Sequence, residues 1–288
     1  MPTANARRAI DEIAAGSLAP RIAYHLLGEP LLHPDVVEIL RHARSRRFLN
    51  RVVTNGSTLR TRATREALAF CDQLDISLRA ANEDEYGRLS QGGSFPEYLA
   101  GIAEFLRLRE QLGAQHVRVR MFTGTHVPWL SRQIGLGKSG DALTSVSRGV
   151  TVPVDSGLSL FVEPRLDWVR AEGRYPSRFF GRCDEPAKGF AMLANGDVTP
   201  CCFDHEGKNA LGNFITGGGV ASIVLGHEAR TFRGNLQQRR IPTELCAGCL
   251  ARSTRLRSLV YQAGWALLGL PDRLSAAVAH PNKSAAQD

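Results

Sequence analysis

The chain has 288 residues, 43% of them hydrophobic, enough for a buried core and too apolar for a disordered polypeptide. Lys and Arg outnumber Asp and Glu by 36 to 28, for a formal net charge of +8, so anionic partners come to mind first. No basic run interleaved with aromatics and no known nucleic-acid module occurs, and no apolar stretch reaches the roughly 18 residues that read as a membrane span.

Taken in order, Ala6 to Ala15 carries Ala6, Ile10, Ile13 and Ala14 at helical spacing. Ile22 to Leu27 is a short apolar run, expected as a buried strand, and it ends in Gly28-Glu29-Pro30-Leu31-Leu32-His33-Pro34-Asp35. Asp35 is placed to cap a helix over Val36 to Ser45. A strand over Phe48 to Val53 ends in Thr54-Asn55-Gly56. A helix over Arg62 to Phe70, a strand over Leu74 to Leu78, a helix over Pro96 to Leu112 and a strand over Val117 to Phe122 follow. This rhythm predicts βαβ units and a parallel sheet, as an open sheet or a barrel, with the active site at the C-terminal strand ends. The Gly28-Glu29, Asn55-Gly56 and Arg79 signals all fall at such ends. Gly135 to Gly157 lacks periodicity. The expected division is 1–156, then a cysteine-rich part over 157–250, then a helix (Thr254 to Leu270) and a loose tail over 251–288. That helix is read as docked on the rest of the chain, with a membrane-surface helix as the alternative.

Five of six cysteines lie between Cys183 and Cys249. Cys246-Ala247-Gly248-Cys249 is a C-x-x-C, whose thiolates can grip one metal centre from a single turn, with the other ligands supplied from elsewhere. Asn195-Gly196-Asp197 is a hairpin signal, so Cys201 is expected where the second strand of a hairpin ends. Disulfides, a structural zinc site and an iron–sulfur cluster all remain open on spacing alone. Met1 to Pro20 has charges throughout and no apolar core like a secretory signal. A cytoplasmic setting is therefore expected, and it disfavours disulfides. Cys71 stands alone and reads as a buried core thiol.

The succession Cys183, Asn195-Gly196-Asp197-Val198-Thr199-Pro200-Cys201, Leu211-Gly212-Asn213-Phe214 and Cys246-Ala247-Gly248-Cys249 resembles the SPASM domain. That domain extends many radical S-adenosylmethionine (SAM) enzymes and carries auxiliary 4Fe-4S clusters. The resemblance implies one such cluster on Cys183, Cys201, Cys246 and Cys249, with Cys202 spare. Asp204, just after the cysteine pair, is read as support for the cluster or as a hairpin residue.

Leu27-Gly28-Glu29-Pro30 resembles the Gly-Gly-Glu-Pro motif of the radical SAM barrel, with Leu27 in place of the first Gly. In that family this loop holds the amino group of SAM. The resemblance implies a SAM pocket of Gly28, Glu29, Pro30, Asn55 and Ser77 on an incomplete parallel (β/α) TIM-like barrel. The family's Asp in Ser-x-Asp-Gly is replaced by Arg79 in Ser77-Leu78-Arg79-Ala80. The radical-generating C-x-x-x-C-x-x-C does not occur. It would fall upstream of Met1, either on a missing segment or lost altogether, so these residues alone are not expected to cleave SAM.

The expected function is a radical SAM/SPASM-type oxidoreductase or maturase acting on a peptide or small molecule, served by an electron-donor protein. The alternatives are a non-enzymatic iron–sulfur protein with a degenerate barrel and a zinc-stabilised binding protein.

Overall fold

Along Val117-Arg118-Val119-Arg120-Met121 the apolar residues are buried and the arginines are partly open. Side chains alternate across a strand, so one face of the sheet packs on helices and the other carries charge. The computed structural model describes residues 1–89, 93–114, 116–164, 183 and 185–250.

In chain order the elements are α1 (Thr3–Ala15), β1 (Arg21–Tyr24), a 3-10 turn at Pro30–Leu32, α2 (Val36–Ser45), β2 (Leu49–Thr54), α3 (Arg62–Leu68), β3 (Gln73–Leu78), α4 (Glu83–Leu89), α5 (Phe95–Leu108), β4 (Val117–Phe122) and α6 (Val127–Gln133). They continue as β5 (Val150–Pro153), β6 (Leu158–Glu163), α7 (Glu185–Lys188), β7 (Ala191–Met192), β8 (Asp197–Thr199), β9 (Gly212–Asn213), α8 (Val220–Val224), α9 (His227–Gln237) and α10 (Glu244–Leu250).

Among the described residues the main sheet has the order β1-β2-β3-β4-β6-β5. The first five are parallel, with Val52 opposite Leu74, Ile76 opposite Val119 and Val119 opposite Leu160. β5 runs antiparallel at the edge. The expected parallel α/β sheet is thus present, with an open edge at β1 and no closed barrel among these strands. The sheet runs past residue 156, because β6 pairs with β4 in full register. β5, β6 and α4 have no counterpart in the sequence reading. Leu158–Glu163 alternates over a span too short to stand out beside a stretch poor in periodicity.

α2 buries Val36, Ile39, Leu40 and Ala43, one stripe of a 3.6-residue helix. α5 starts at Ser94, whose hydroxyl accepts the Glu97 N–H at 3.3 Å. Asp35 does not cap α2 through its side chain; its carboxylate instead accepts from Thr3 Oγ1 at 2.5 Å. The helices cover the apolar sheet face in one core that includes Leu40, Val52, Ile76, Ile102, Val119 and Leu160.

A second core joins the two parts of the chain. Ile10 and Ile13 of α1, with Ile39, Ala43 and Phe48, meet Val198, Phe214, Val220 and Val224 from the cysteine-bearing part. Arg8 donates to the Phe214 carbonyl at 2.5 Å and lies 4.9 Å over its ring. Glu12 accepts the Val220 N–H at 2.6 Å at the start of α8. The Thr254 to Leu270 helix of the sequence reading lies outside the described residues.

Candidate functional site

Two places gather the residues singled out in the sequence. The first is the rim at the C-terminal ends of β1 to β3. Glu29 accepts the Leu31 N–H at 3.1 Å through Oε1 and the Asn55 N–H at 2.6 Å through Oε2. One carboxylate therefore ties the loop after β1 to the loop after β2. Gly56 sits at φ +86°, and a Cβ there would press on Ile76 at 3.3 Å, so glycine lets the chain turn away from the sheet. Gly28 differs: a Cβ on it would meet nothing within 4 Å, so it borders open space. Leu26 just before it has φ +94°, a strained value for a bulky side chain. The Tyr98 hydroxyl donates to the Asn55 carbonyl at 2.5 Å. Burial, then Tyr86 and Glu29 nearby, raise the Tyr98 phenol well above its ordinary range. Ser77 stands one residue beyond Ile76, the register partner of Thr54, and its hydroxyl accepts from Arg79 Nε at 3.2 Å. So Glu29 and Asn55 meet directly, while Ser77 faces Arg79.

Below this rim the open face of the sheet carries a charge network that the sequence reading missed. Asp75 is fully buried and is shared by Arg51 and Arg118. Burial works against its charge, but hydrogen bonds from Arg118 and the Arg51 guanidinium prevail and hold the carboxyl below its usual range. Arg120 pairs with Glu163 at 2.7 Å. Burial first, then Arg51 and Arg120, lower the pKa of His25 against the pull of Asp75. The alternating arginines of β4 were the available signal.

The second place is the ring of cysteines. Gly196, at φ +94°, makes the turn between β7 and β8, where a Cβ would collide with Ile215 at 2.6 Å. Cys201 and Cys202 follow Thr199 in a bend rather than in β8. Cys246 and Cys249 lie on α10. No cysteine is in a disulfide. Burial, together with Cys202 and Cys249 nearby, pushes the Cys201 thiol up to about 12, against backbone hydrogen bonds from Phe203 and Asp204. Burial, with Cys249, Cys183 and Asp204 nearby, pushes Cys246 up to about 11, against a hydrogen bond from Thr243. Cys201 thus feels Cys202 and Cys249, and Cys246 feels Cys249 and Cys183.

Asp204 is 1% exposed and accepts the Lys208 and Asn209 N–H groups at 2.9 and 2.7 Å. It folds the loop after the cysteine pair through these two bonds. Asn209 Nδ2 is buried and has no hydrogen-bond partner among the described residues. The soft, thiol-rich donor set of Cys183, Cys201, Cys246 and Cys249 fits an iron–sulfur cluster by its chemistry. Among the described residues no group of three or more His, Cys, Asp or Glu side chains closes to single-ion geometry. No described helix is long and apolar enough to cross a membrane.

Residues 183–250 match the SPASM family, described as an iron–sulfur cluster-binding domain. A GTP 3',8-cyclase from Lactiplantibacillus plantarum is 41% identical over 78 residues, 26% of this chain and 24% of that enzyme. The counterpart from Limosilactobacillus fermentum is 37% identical over the same shares. The matched stretch thus spans about a quarter of these curated relatives. Among solved structures, BtrN in complex with AdoMet and 2-DOIA superimposes with a TM-score of 0.52 at 16% identity, covering 86% of this chain and 79% of that one. Streptococcus suis SuiB gives 0.52 at 14% identity, covering 81% and 62%. At these identities the likeness is one of fold.

Proposed function

We propose that the chain, whose residues 183–250 match the SPASM domain and which shares its fold with BtrN, is a member of the radical SAM/SPASM family, holds one auxiliary 4Fe-4S cluster on Cys183, Cys201, Cys246 and Cys249 and binds SAM at the Gly28-Glu29-Pro30, Asn55 and Ser77 rim. The observation that carries this reading is the match of residues 183–250 to an iron–sulfur cluster-binding domain, and the electrostatic influence of Cys249 on Cys201, and of Cys249 and Cys183 on Cys246, agrees with it.

When bound, such a cluster stores and passes single electrons. The chain's own residues supply the setting. The pairing of α1 with Phe214 and Val220 fixes the cysteine-bearing part against the sheet. Glu29 locks two rim loops together and offers its remaining lone pairs to an ammonium beside the open space at Gly28. Tyr98 orders the Asn55 loop through its carbonyl.

The substrate class in this reading is a peptide or small molecule, in an oxidoreductase or maturase reaction fed by an electron-donor protein. SuiB bound to its precursor peptide SuiA shares the fold with a TM-score of 0.51 at 12% identity. The sequence contains no C-x-x-x-C-x-x-C, so the proposal for these residues stops at holding the auxiliary cluster and binding SAM.

The test is anaerobic reconstitution of the wild type and the five single Cys→Ser variants at positions 183, 201, 202, 246 and 249, read by iron content and visible absorption. Loss of the cluster is expected in four variants and retention in Cys202→Ser. Stoichiometric zinc without iron in protein from iron-replete anaerobic culture would sink the cluster. Loss in Cys202→Ser with retention in Cys201→Ser would reassign the ligand. For SAM, calorimetry on the reconstituted chain should register weaker binding in the Glu29→Ala, Asn55→Ala double variant, and equal binding would remove the rim from the proposal.

A further inference from the structure

The strands' opposite ends carry a second concave site, about 17 Å from the Glu29 rim by the length of a six-residue strand. Where β1 to β4 begin, a cavity of about 410 Å³ opens, and Arg21, Arg44, Arg51, Asp72, Cys71 and His116 are among its lining residues. That volume lies in the range of small-molecule sites.

The charges around it do not balance. Arg21 is exposed and makes no ion pair or side-chain hydrogen bond with any described residue. Arg44 reaches Asp72 Oδ1 at 3.3 Å, while the other oxygen of Asp72 is taken by the Asn50 N–H at 2.8 Å. Among the described residues Arg51 pairs with one carboxylate, Asp75, and shares it with Arg118. Three guanidiniums therefore border the cavity against one lining carboxylate, and His116 adds a further nitrogen donor. Leu49, Leu68 and Ala69 supply apolar wall, which raises the local effect of that charge. Guanidinium forks match the oxygens of a phosphate group, and a concave wall favours a compact ligand over a long polyanion. Cys71 does not make this a reactive site. Its thiol donates to the Gln73 carbonyl at 3.1 Å, and burial first, against backbone hydrogen bonds, pushes it up to about 12.

We propose that this cavity binds a small molecule bearing a phosphate or diphosphate group, through Arg21 and Arg44 with Arg51 behind them. The site is separate from the rim and stands whether or not SAM binds there.

The test is calorimetric titration of the reconstituted full chain with inorganic pyrophosphate at ionic strength fixed by sodium chloride, with heparin as a polyanion control. One saturable site is expected, weakened about tenfold in Arg21→Gln and further in Arg21→Gln, Arg44→Gln. Arg62→Gln, which alters an exposed pair with Glu66, should bind as the wild type does. Arg21 makes no described pair, so Arg21→Gln is expected to keep the wild-type melting temperature and decides the matter even if Arg44→Gln loosens the Asp72 loop. No uptake by the wild type, or equal uptake by Arg21→Gln, would overturn the proposal. So would unsaturable heparin and pyrophosphate binding shared alike by all variants, which would make the charge a general polyanion surface.

Discussion

Leu40, Ile76, Ile102, Val119 and Leu160, all fully buried, meet between the sheet and its own helices. The cysteine-bearing part instead packs Val198, Phe214, Val220 and Val224 against Ile10, Ile13 and Phe48 from the start of the chain. The sheet is therefore self-sufficient in apolar burial. The other part borrows much of the core around its hairpin and α8, and a metal centre would add what it lacks, since cluster binding to a small domain is also folding energy. The difference teaches where each region is vulnerable: the sheet to its own interior, the cysteine-bearing part to its docking surface and its ligands.

The largest effect on the sheet is expected at Asp75. Asp75→Asn removes the one carboxylate that Arg51 and Arg118 share. Breaking a buried ion pair costs about 3–5 kcal/mol; both arginines keep about a quarter of their side chains exposed, so about 3 kcal/mol is expected. The sign with pH follows. The folded-state pKa is depressed, so this stability is present above the unfolded Asp value of about 3.9 and is lost as pH falls through the lower folded value. In urea denaturation the gap between wild type and Asp75→Asn should therefore stay constant from pH 7 to about pH 5 and narrow, without closing, as pH falls from about 4 to 3. Parallel curves would mean that the charge of Asp75 contributes nothing.

A smaller and more local loss is expected at the docking surface. Ile10→Ala removes a side chain that is 4% exposed in the shared core, at a cost of about 2–3 kcal/mol. Hydrogen exchange should show the loss first in residues 191–225, with the strands of the main sheet still protected. Equal loss of protection in β3 and β4 would mean that the two regions unfold as one and that the contrast drawn between them is false.

The parallel sheet was legible because strands and helices alternate with clear periodicity, and the cysteine hairpin because Asn195-Gly196-Asp197 is a turn signal with few other uses. Three features were not. β6 is a short strand whose assignment depends on its partner β4, a long-range fact that local pattern does not carry. The pairing of α1 with α8 joins residues 208 apart in sequence, as Glu12 to Val220 illustrates. The bend at Cys201 and Cys202 is closed by the Asp204 N–H donating to the Cys201 carbonyl at 3.3 Å, which spacing does not encode. Glu29 was read as a ligand from resemblance, but its bond to Asn55 also makes it a tie between two loops.

The smallest effect concerns the rim, where the sheet's regularity gives way. Leu26 holds φ +94°, a region costing an L-residue with a bulky side chain about 1–2 kcal/mol. Such strain persists only where the surroundings enforce it, and here the enforcing bonds are those of Glu29 to Leu31 and Asn55. Two substitutions separate backbone from side chain. Leu26→Ala loses the side chain and keeps the strain, whereas Leu26→Gly loses both. Elsewhere glycine is the worse choice by about 0.5–1 kcal/mol, because it has more freedom to lose on folding. At this position the order should invert, with Leu26→Gly more stable than Leu26→Ala by up to about 1 kcal/mol in urea denaturation. If Leu26→Ala is the more stable of the two, the loop does not hold this conformation in solution and the rim is less ordered than the bonds of Glu29 imply.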